Sequence, residues 1–313
     1  MLLTGVAGFI GSSLCDKLIA RGDSVVGLDN FDDFYSPAIK RQNVELLRNH
    51  SRFTLIEGDI RDTALLSSLL KNHRIDKIVH LAARAGVRPS IKDPGLYVDV
   101  NVRGTLSVLE AMKETDVKNL VFASSSSVYG NSNHVPFSES QIVDFPISPY
   151  AATKKAAELL CYNYHHLYGF NINCLRFFTV YGPRQRPEMA IHKFFRQILS
   201  GNKIVLYGDG GTSRDYTYID DIIDGTLAAL DRLEGFDLFN LGGSHPHKLI
   251  ELVRMIENVC DTKATIEFLP QQPGDVEITF ADITHAGKKL NYFPKVSLEK
   301  GLTFFRAWYG ERK

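Results

Sequence analysis

Tyr150-Ala151-Ala152-Thr153-Lys154 sets a phenol and an ammonium four residues apart, and helical pitch puts such a pair on one face. Ser148-Pro149 just ahead reads as an N-cap followed by proline at the first helical position. Tyr150 is therefore expected in the first turn, where unpaired amides favour negative charge. The chemistry this suits is proton abstraction. A free tyrosine titrates near about 10, so a base working near neutrality needs a drop of roughly 3 pH units, or about 4 kcal/mol. The ammonium and the helix end both favour phenolate. An isolated Tyr-x-x-x-Lys is most often a surface helix with two incidental residues, so its surroundings decide the matter.

Upstream, Leu120-Val121-Phe122-Ala123 reads as a buried parallel strand running into Ser124-Ser125-Ser126-Ser127-Val128-Tyr129-Gly130. Four hydroxyls line the strand's carboxyl end, where open α/β sheets bind ligands. A serine there reaches both a substrate hydroxyl and the tyrosine oxygen. The plainer alternative is a serine-rich loop.

The elements that must position these groups begin with Met1-Leu2-Leu3-Thr4, a short strand entering Gly5-Val6-Ala7-Gly8-Phe9-Ile10-Gly11. Leu14, Leu18 and Ile19 then continue at helical spacing. This G-x-x-G-x-x-G lets the backbone approach a pyrophosphate, which the helix N-terminus attracts. A second strand, Ser24–Leu28, ends in Asp29, about twenty residues on, where a carboxylate would hold a ribose 2′-hydroxyl. An acid there repels a 2′-phosphate and so favours NAD over NADP. A bound nicotinamide ring, being cationic, would add to the pull on Tyr150.

Further along, Ser36 to Asn49 reads as a polar helix and Phe53–Glu57 as a third strand closing in Gly58-Asp59-Ile60. Asp59 either meets an adenine or caps the following Arg61–Leu70 helix. Ile78–Ala83 is a fourth strand, whose small final residues permit close approach of a cofactor, with His80 read as a satisfied core histidine. Asp93 to Thr115 and Pro149 to Tyr168 are long helices with broad apolar faces, which either pair across a dimer axis or pack on the sheet. His165 and His166 are adjacent, hence on different faces, which argues against a metal pair. Strand six, Ile172–Phe178, leads to Thr179–Pro187; beyond it the alternation loosens, with a Gly208–Gly211 loop and helices over Leu249–Cys260 and Leu298–Trp308.

The chain of 313 residues, 44% of them apolar, is long enough for two lobes around a cleft. Thirty-six basic residues balance thirty-six acidic ones, so no global field points to nucleic acid or a membrane surface. The four cysteines, Cys15, Cys161, Cys174 and Cys260, show neither metal spacing nor a disulfide framework. With no signal-like start and no membrane-length run, the cytoplasm is expected.

Together these residues resemble the extended short-chain dehydrogenase/reductase family, at Gly5–Gly11, Asp29, Gly58-Asp59, His80–Ala83, Ser124–Gly130 and Tyr150–Lys154. Within it the chain is most similar to nucleotide-sugar 4-epimerases, and among them to UDP-glucuronate 4-epimerases. Asn30–Tyr35, Ala85–Arg88 and Arg176–Pro183 carry that likeness. The resemblance implies a doubly wound parallel sheet (Rossmann) with a smaller C-terminal α/β substrate lobe. Residues 1–178, with a later segment at about 213–242, would bind NAD; 179–212 and 243–313 would bind substrate. From the long helices a homodimer is expected, and from the Cys and His spacing no metal. NAD would lie on Gly5, Gly8, Phe9, Ile10, Gly11, Asp29, Asn30, Asp59, Ile60, Leu81, Ala82, Ala83, Asn101, Tyr150 and Lys154.

By the same resemblance, Tyr150 takes the O4 proton of a UDP-sugar, assisted by Ser125 and held low by Lys154, while NAD takes the C4 hydride and later returns it to the opposite face. Ser125 is implied because the family's catalytic hydroxyl lies three residues before the valine of Val128-Tyr129-Gly130. Related dehydratases and decarboxylases carry an acid in the serine-rich motif, absent here. Galactose-type epimerases have asparagine at the position of Thr179 and arginine at that of Gln272, ahead of Pro273-Gly274-Asp275. An acidic sugar makes sense of Ser126, Ser127, Thr179 and Arg186, which the resemblance sets around C6. Clamping the carboxylate out of line with the 4-keto group protects a β-keto acid from losing CO2. Arg184 and Arg186 read alternatively as a solvated pair near a turn. Arg88 and Arg214 are implied at the diphosphate, Tyr207 on uracil, and Asp275 in the substrate set. The rivals are a UDP-glucose or UDP-N-acetylglucosamine 4-epimerase and an NAD-sensing protein without catalysis.

Overall fold

The structure is a computed structural model that describes residues 1–270 and 276–311. In chain order the strands are β1 (Leu2–Thr4), β2 (Val25–Asp29), β3 (Phe53–Glu57), β4 (Lys77–His80), β5 (Asn119–Ser125), β6 (Asn171–Phe177), β7 (Thr179–Tyr181), β8 (Ile204–Tyr207), β9 (Ser213–Tyr218), β10 (Phe236–Leu241), β11 (Pro246–Lys248) and β12 (Ile266–Leu269). The helices are α1 (Phe9–Arg21), α2 (Pro37–Val44), α3 (Thr63–Asn72), α4 (Val87–Lys92), α5 (Pro94–Tyr97), α6 (Gly104–Thr115), α7 (Pro149–Tyr168), α8 (Ala190–Leu199), α9 (Ile219–Asp231), α10 (Leu249–Cys260), α11 (Thr284–Leu290) and α12 (Leu298–Glu311).

Seven strands form one sheet in the order β10-β6-β5-β4-β1-β2-β3, every pair parallel. The doubly wound parallel sheet expected from the sequence is borne out. Its strands read as apolar runs because both faces are covered. Successive residues serve opposite cores: Leu3, Val79, Val121 and Leu175 join the core that includes α1 and α9, while Leu2, Ile78, Leu120 and Ile172 join the one that includes α3, α6 and α7. The strand order reverses between β1 and β4, so a crevice opens at their carboxyl ends. Two small sheets, β11-β9-β7 and β12-β8, stand beyond β6, whereas β10 returns to the edge of the large sheet.

Helix α7 forms where its caps dictate. Ser148 Oγ accepts from the Ala151 amide (3.2 Å), Pro149 occupies the first turn, and Gly169 closes the helix at φ 66°. The single helix expected over Asp93 to Thr115 is instead interrupted. Asp93 caps α5 through the Leu96 amide (3.1 Å), and Val98–Arg103 widens to a π-helical turn before α6. That turn brings Asn101 inward, its carbonyl accepting from Thr105 Oγ1 at 2.6 Å.

Candidate active site

The cleft at the strand ends encloses a cavity of about 380 Å³, within the range of small-molecule sites. On one side it is floored by the glycine turn. Gly5 sits at φ +72°, and a Cβ on Gly11 would fall 2.1 Å from the Gly5 carbonyl, so only glycine lets α1 start so close under β1. Phe9, Ile10 and Gly8 line the same side. Asp29, buried at the end of β2, accepts from the amides of Ala7 (3.0 Å) and Phe31 (2.9 Å). Burial raises its pKa, and those amides and Lys40 oppose the rise.

Asn30, Asp59, Ile60, Leu81, Ala82 and Ala83 continue the wall. Asp59 does not cap α3; Asp62 does, accepting from the Leu65 amide at 2.9 Å. Asp59 instead takes hydrogen bonds from the Arg61 guanidinium (2.7 and 2.9 Å) and from Asn30 (3.0 Å), and the Arg61 bond is the main reason its carboxyl is held down to about 2. Asn101 sits differently from the expectation. It is buried off the cleft, and its amide is engaged by the backbone of Arg84 (2.8 and 3.0 Å) and by Thr153 Oγ1 (3.1 Å). It fastens the loop after β4 to α7.

Ser125, Ser126, Ser127, Tyr150 and Lys154 meet at the middle of the cleft. The Ser125 hydroxyl donates to Ser127 Oγ (3.1 Å) and accepts from the Ser127 amide (3.2 Å), and it lines the cleft together with the Tyr150 phenol. Burial raises the phenol's pKa, while Ser125 and the Arg186 charge pull it down. The expected bias toward phenolate is therefore outweighed: the protein alone keeps Tyr150 neutral. Lys154 differs as well. Its ammonium donates to the Ala123 carbonyl (2.6 Å) above the Phe122 ring, and burial pushes it down to about 8.

Beneath this floor lies a buried ion pair. Arg176 donates from Nε and Nη2 to the two carboxylate oxygens of Glu158 on α7, both at 2.8 Å, with each side chain at most 2% exposed. Ser124 Oγ also donates to Glu158 (2.6 Å). Arg176 Nη1 bonds Tyr129 Oη (3.0 Å), which donates to Asn240 Oδ1 on β10 (2.7 Å). Strands β5, β6 and β10 and helix α7 thus share one polar network.

At the far end Thr179 and Arg186 line the cleft. The Arg186 guanidinium lies 5.6 Å from the Phe34 ring and pairs through Nε with the half-exposed Glu188 (3.0 Å). Arg184 is no solvated partner; it pairs with Asp16 of α1 at 2.7 Å. Arg88 and Tyr207 stand off the cleft lining but touch each other, guanidinium to ring at 4.7 Å. Arg214, also off the lining, donates to the Ser213 carbonyl (2.9 Å). Asp275 lies outside the described residues.

Sequence reading missed three cations of the cleft, Arg61, Arg84 and Lys40. Arg84, just after Ala83, is ion-paired with Asp32 and packs against Phe34 at 5.4 Å, while Lys40 donates to the Asp32 carbonyl (2.6 Å). A cation directly following the small residues at a strand end was a usable signal for Arg84. Nothing distinguishes Lys40 from its solvated neighbours on a polar helix. His80 is the satisfied core histidine expected, contacting Thr4 (2.7 Å) and Thr105 (3.3 Å) and pushed down to about 3 by burial. Among the described residues no three His, Cys, Asp or Glu side chains cluster as metal ligands, and no helix is long and apolar enough to cross a membrane.

The chain belongs to the family whose model is described as GDP-mannose 4,6 dehydratase, which matches residues 2–304. A UDP-glucuronate 4-epimerase of Thermodesulfobacterium geofontis (strain OPF15) is 45% identical over 311 residues, 99% of this chain and 96% of the relative. Among solved structures, UDP-glucuronic acid 4-epimerase from Bacillus cereus in complex with UDP-glucuronic acid and NAD matches with TM-score 0.93 at 41% identity, covering 100% of this chain and 99% of that one. UDP-glucose 4-epimerase of Thermotoga maritima with UDP-glucose matches with TM-score 0.92 at 31% identity, covering 99% and 98%. The resemblance to nucleotide-sugar 4-epimerases is thereby borne out. The backbone fold hardly separates the two sugars; the side chains must.

Proposed function

We propose that this protein is an NAD-dependent UDP-glucuronate 4-epimerase, interconverting UDP-glucuronate and UDP-galacturonate through a transient 4-keto sugar. The observation that carries the reading is the convergence of Tyr150, Ser125 and Lys154 with Ser126, Ser127, Thr179 and Arg186 in one cleft. The residues present fit a dinucleotide: the Gly5–Gly11 cradle has no room for a Cβ at Gly11, and Asp29 ends β2 beside it. When bound, NAD supplies a hydride acceptor for C4 and a positive ring near the phenol.

The protein does the rest. Tyr150 holds and returns the O4 proton, Ser125 orients the hydroxyl, and Lys154 braces the strand end from which Ser125 projects. Ser126, Ser127 and Thr179 offer hydroxyls to the sugar carboxylate, and Arg186 offers charge, exchanging its exposed partner Glu188 for the substrate. Such a clamp keeps the C–COO bond out of line with the 4-keto group, so CO2 is retained.

Proton NMR of the protein with UDP-glucuronate and, in a parallel tube, UDP-glucose tests this. Galacturonate forming alone supports the acidic-sugar reading; galactose forming instead transfers the assignment to the neutral-sugar epimerase. No change in either tube, even with NAD supplied, sinks the substrate assignment.

We infer further a cytoplasmic homodimer with a two-lobed division, residues 1–178 and about 213–242 serving NAD and the remainder the sugar. Support for the dimer comes from Leu159, Tyr162 and Leu167 on α7 with Leu106 on α6, which leave apolar side chains 37–57% exposed. Sedimentation should give a species of twice the 35.1 kDa chain mass.

A further inference from the structure

We propose that Gln185 and His192 are positioning residues for Arg186, fixing the direction in which its guanidinium enters the cleft and hence how tightly the acidic sugar is held. This rests on the reading of Arg186 just given. Residues 184–186 send consecutive side chains three ways. Arg184, at φ 68°, reaches Asp16 of α1; Gln185, 2% exposed, turns into the core; Arg186 enters the cleft beside Phe34.

The Gln185 carboxamide is fully engaged inside the protein. Its Nε2 donates to the Val180 carbonyl (3.1 Å) and its Oε1 accepts from the His192 amide (3.1 Å). His192 Nδ1 donates in turn to the Gln185 backbone carbonyl at 2.7 Å, and since a carbonyl only accepts, the proton sits on Nδ1. One residue of α8 therefore grips Gln185 at both backbone and side chain. The imidazole is itself set edge-on among Phe305, Trp308 and Tyr309 of α12, with ring centroids 5.6, 5.9 and 5.6 Å away.

A residue held at its carbonyl and its side chain has little backbone freedom, and its ψ aims the next residue. The ion pair of Arg186 gives no equivalent anchor, because Glu188 belongs to the same loop and is 43% exposed. Direction comes instead from Gln185, and the fit of Gln185 comes from His192.

Calorimetric titration of NAD-loaded protein with UDP-glucuronate and with UDP tests the proposal. His192→Phe keeps a ring among the aromatic groups but deletes the Nδ1 donor, whereas His192→Asn keeps a donor near the same place. The phenylalanine variant should bind UDP-glucuronate about tenfold more weakly and UDP as before, with the asparagine variant recovering to within about threefold. In an Arg186→Ala background His192→Phe should cost nothing more. Equal weakening of both ligands, or a further loss in that background, makes His192 a packing residue and overturns the proposal. If Arg186→Ala alone leaves UDP-glucuronate binding unchanged, the carboxylate reading falls and this proposal with it; a loss with Arg186→Ala but none with His192→Phe overturns the positioning role alone. Should His192→Phe not accumulate as folded protein, Gln185→Met, which removes the carboxamide bonds from the loop side, is judged by the same outcomes.

Discussion

The ammonium of Lys154 donates to the carbonyl oxygen of Ala123 at 2.6 Å, so the catalytic helix is bolted to the strand that presents the serines. Lys154→Met should therefore do two things. Turnover falls about 10²-fold, and the melting temperature drops by a few degrees because a buried carbonyl loses its donor. Steady-state rates and a thermal scan check both. Lost activity with an unchanged melting temperature would mean the Ala123 bond carries no structural weight.

Tyr150→Phe removes one hydroxyl from a ring already seated edge-to-face against Tyr97 at 6.3 Å, so the fold and the cofactor cradle should be unaffected. Turnover should fall by about 10²–10⁴-fold while bound NAD, measured by absorbance after denaturation, stays at the wild-type ratio. Retention of a tenth of the wild-type rate would remove Tyr150 as the base.

Arg186→Ala should distinguish the sugars. For UDP-glucuronate, kcat/KM should fall roughly 10- to 100-fold, the size of a charge-assisted bond, with a much smaller change for UDP-glucose. Equal losses on both sugars would mean that Arg186 does not read the carboxylate.

His80 predicts a pH effect on stability. Its folded-state pKa is depressed from 6.5 to about 3, so the unfolded chain binds the proton first as pH falls. The stability this neutral imidazole contributes is complete above about 6.5 and is lost progressively between there and about 3. His80→Gln should flatten the dependence of unfolding free energy on pH by about 1.4 kcal/mol per pH unit between about pH 6 and 5. Parallel wild-type and variant curves from urea unfolding would place the charge elsewhere.

Much of the fold was legible because apolar runs, helical periodicity and caps act locally: β3, α7 and α10 fall on the expected residues. The departures arise where tertiary contacts decide. Of the two roles read for Asp59, the helix cap goes to Asp62 while Asp59 lines the cleft, bonded to Arg61 and Asn30, and Asn101 is drawn into the core by Arg84 and Thr153 through a π-helical turn with no local signature. Lys154 was placed on the right face, but its choice of Ala123 over the phenol depends on how close β5 comes to α7, which spacing along the chain does not encode.

The network under the serine strand also sets a timetable. Asn240 accepts the hydrogen bond of Tyr129, which bonds Arg176, yet it leaves the ribosome sixty-four residues after Arg176, a separation given by the numbering. Until β10 arrives, the Arg176–Glu158 pair keeps one flank open to water, where screening weakens its hold on α7 and Ser124. A nascent chain already containing Ser125, Tyr150 and Lys154 would thus present an unsettled site. Catalytic competence is therefore expected only once the last strand of the sheet has closed over the pair.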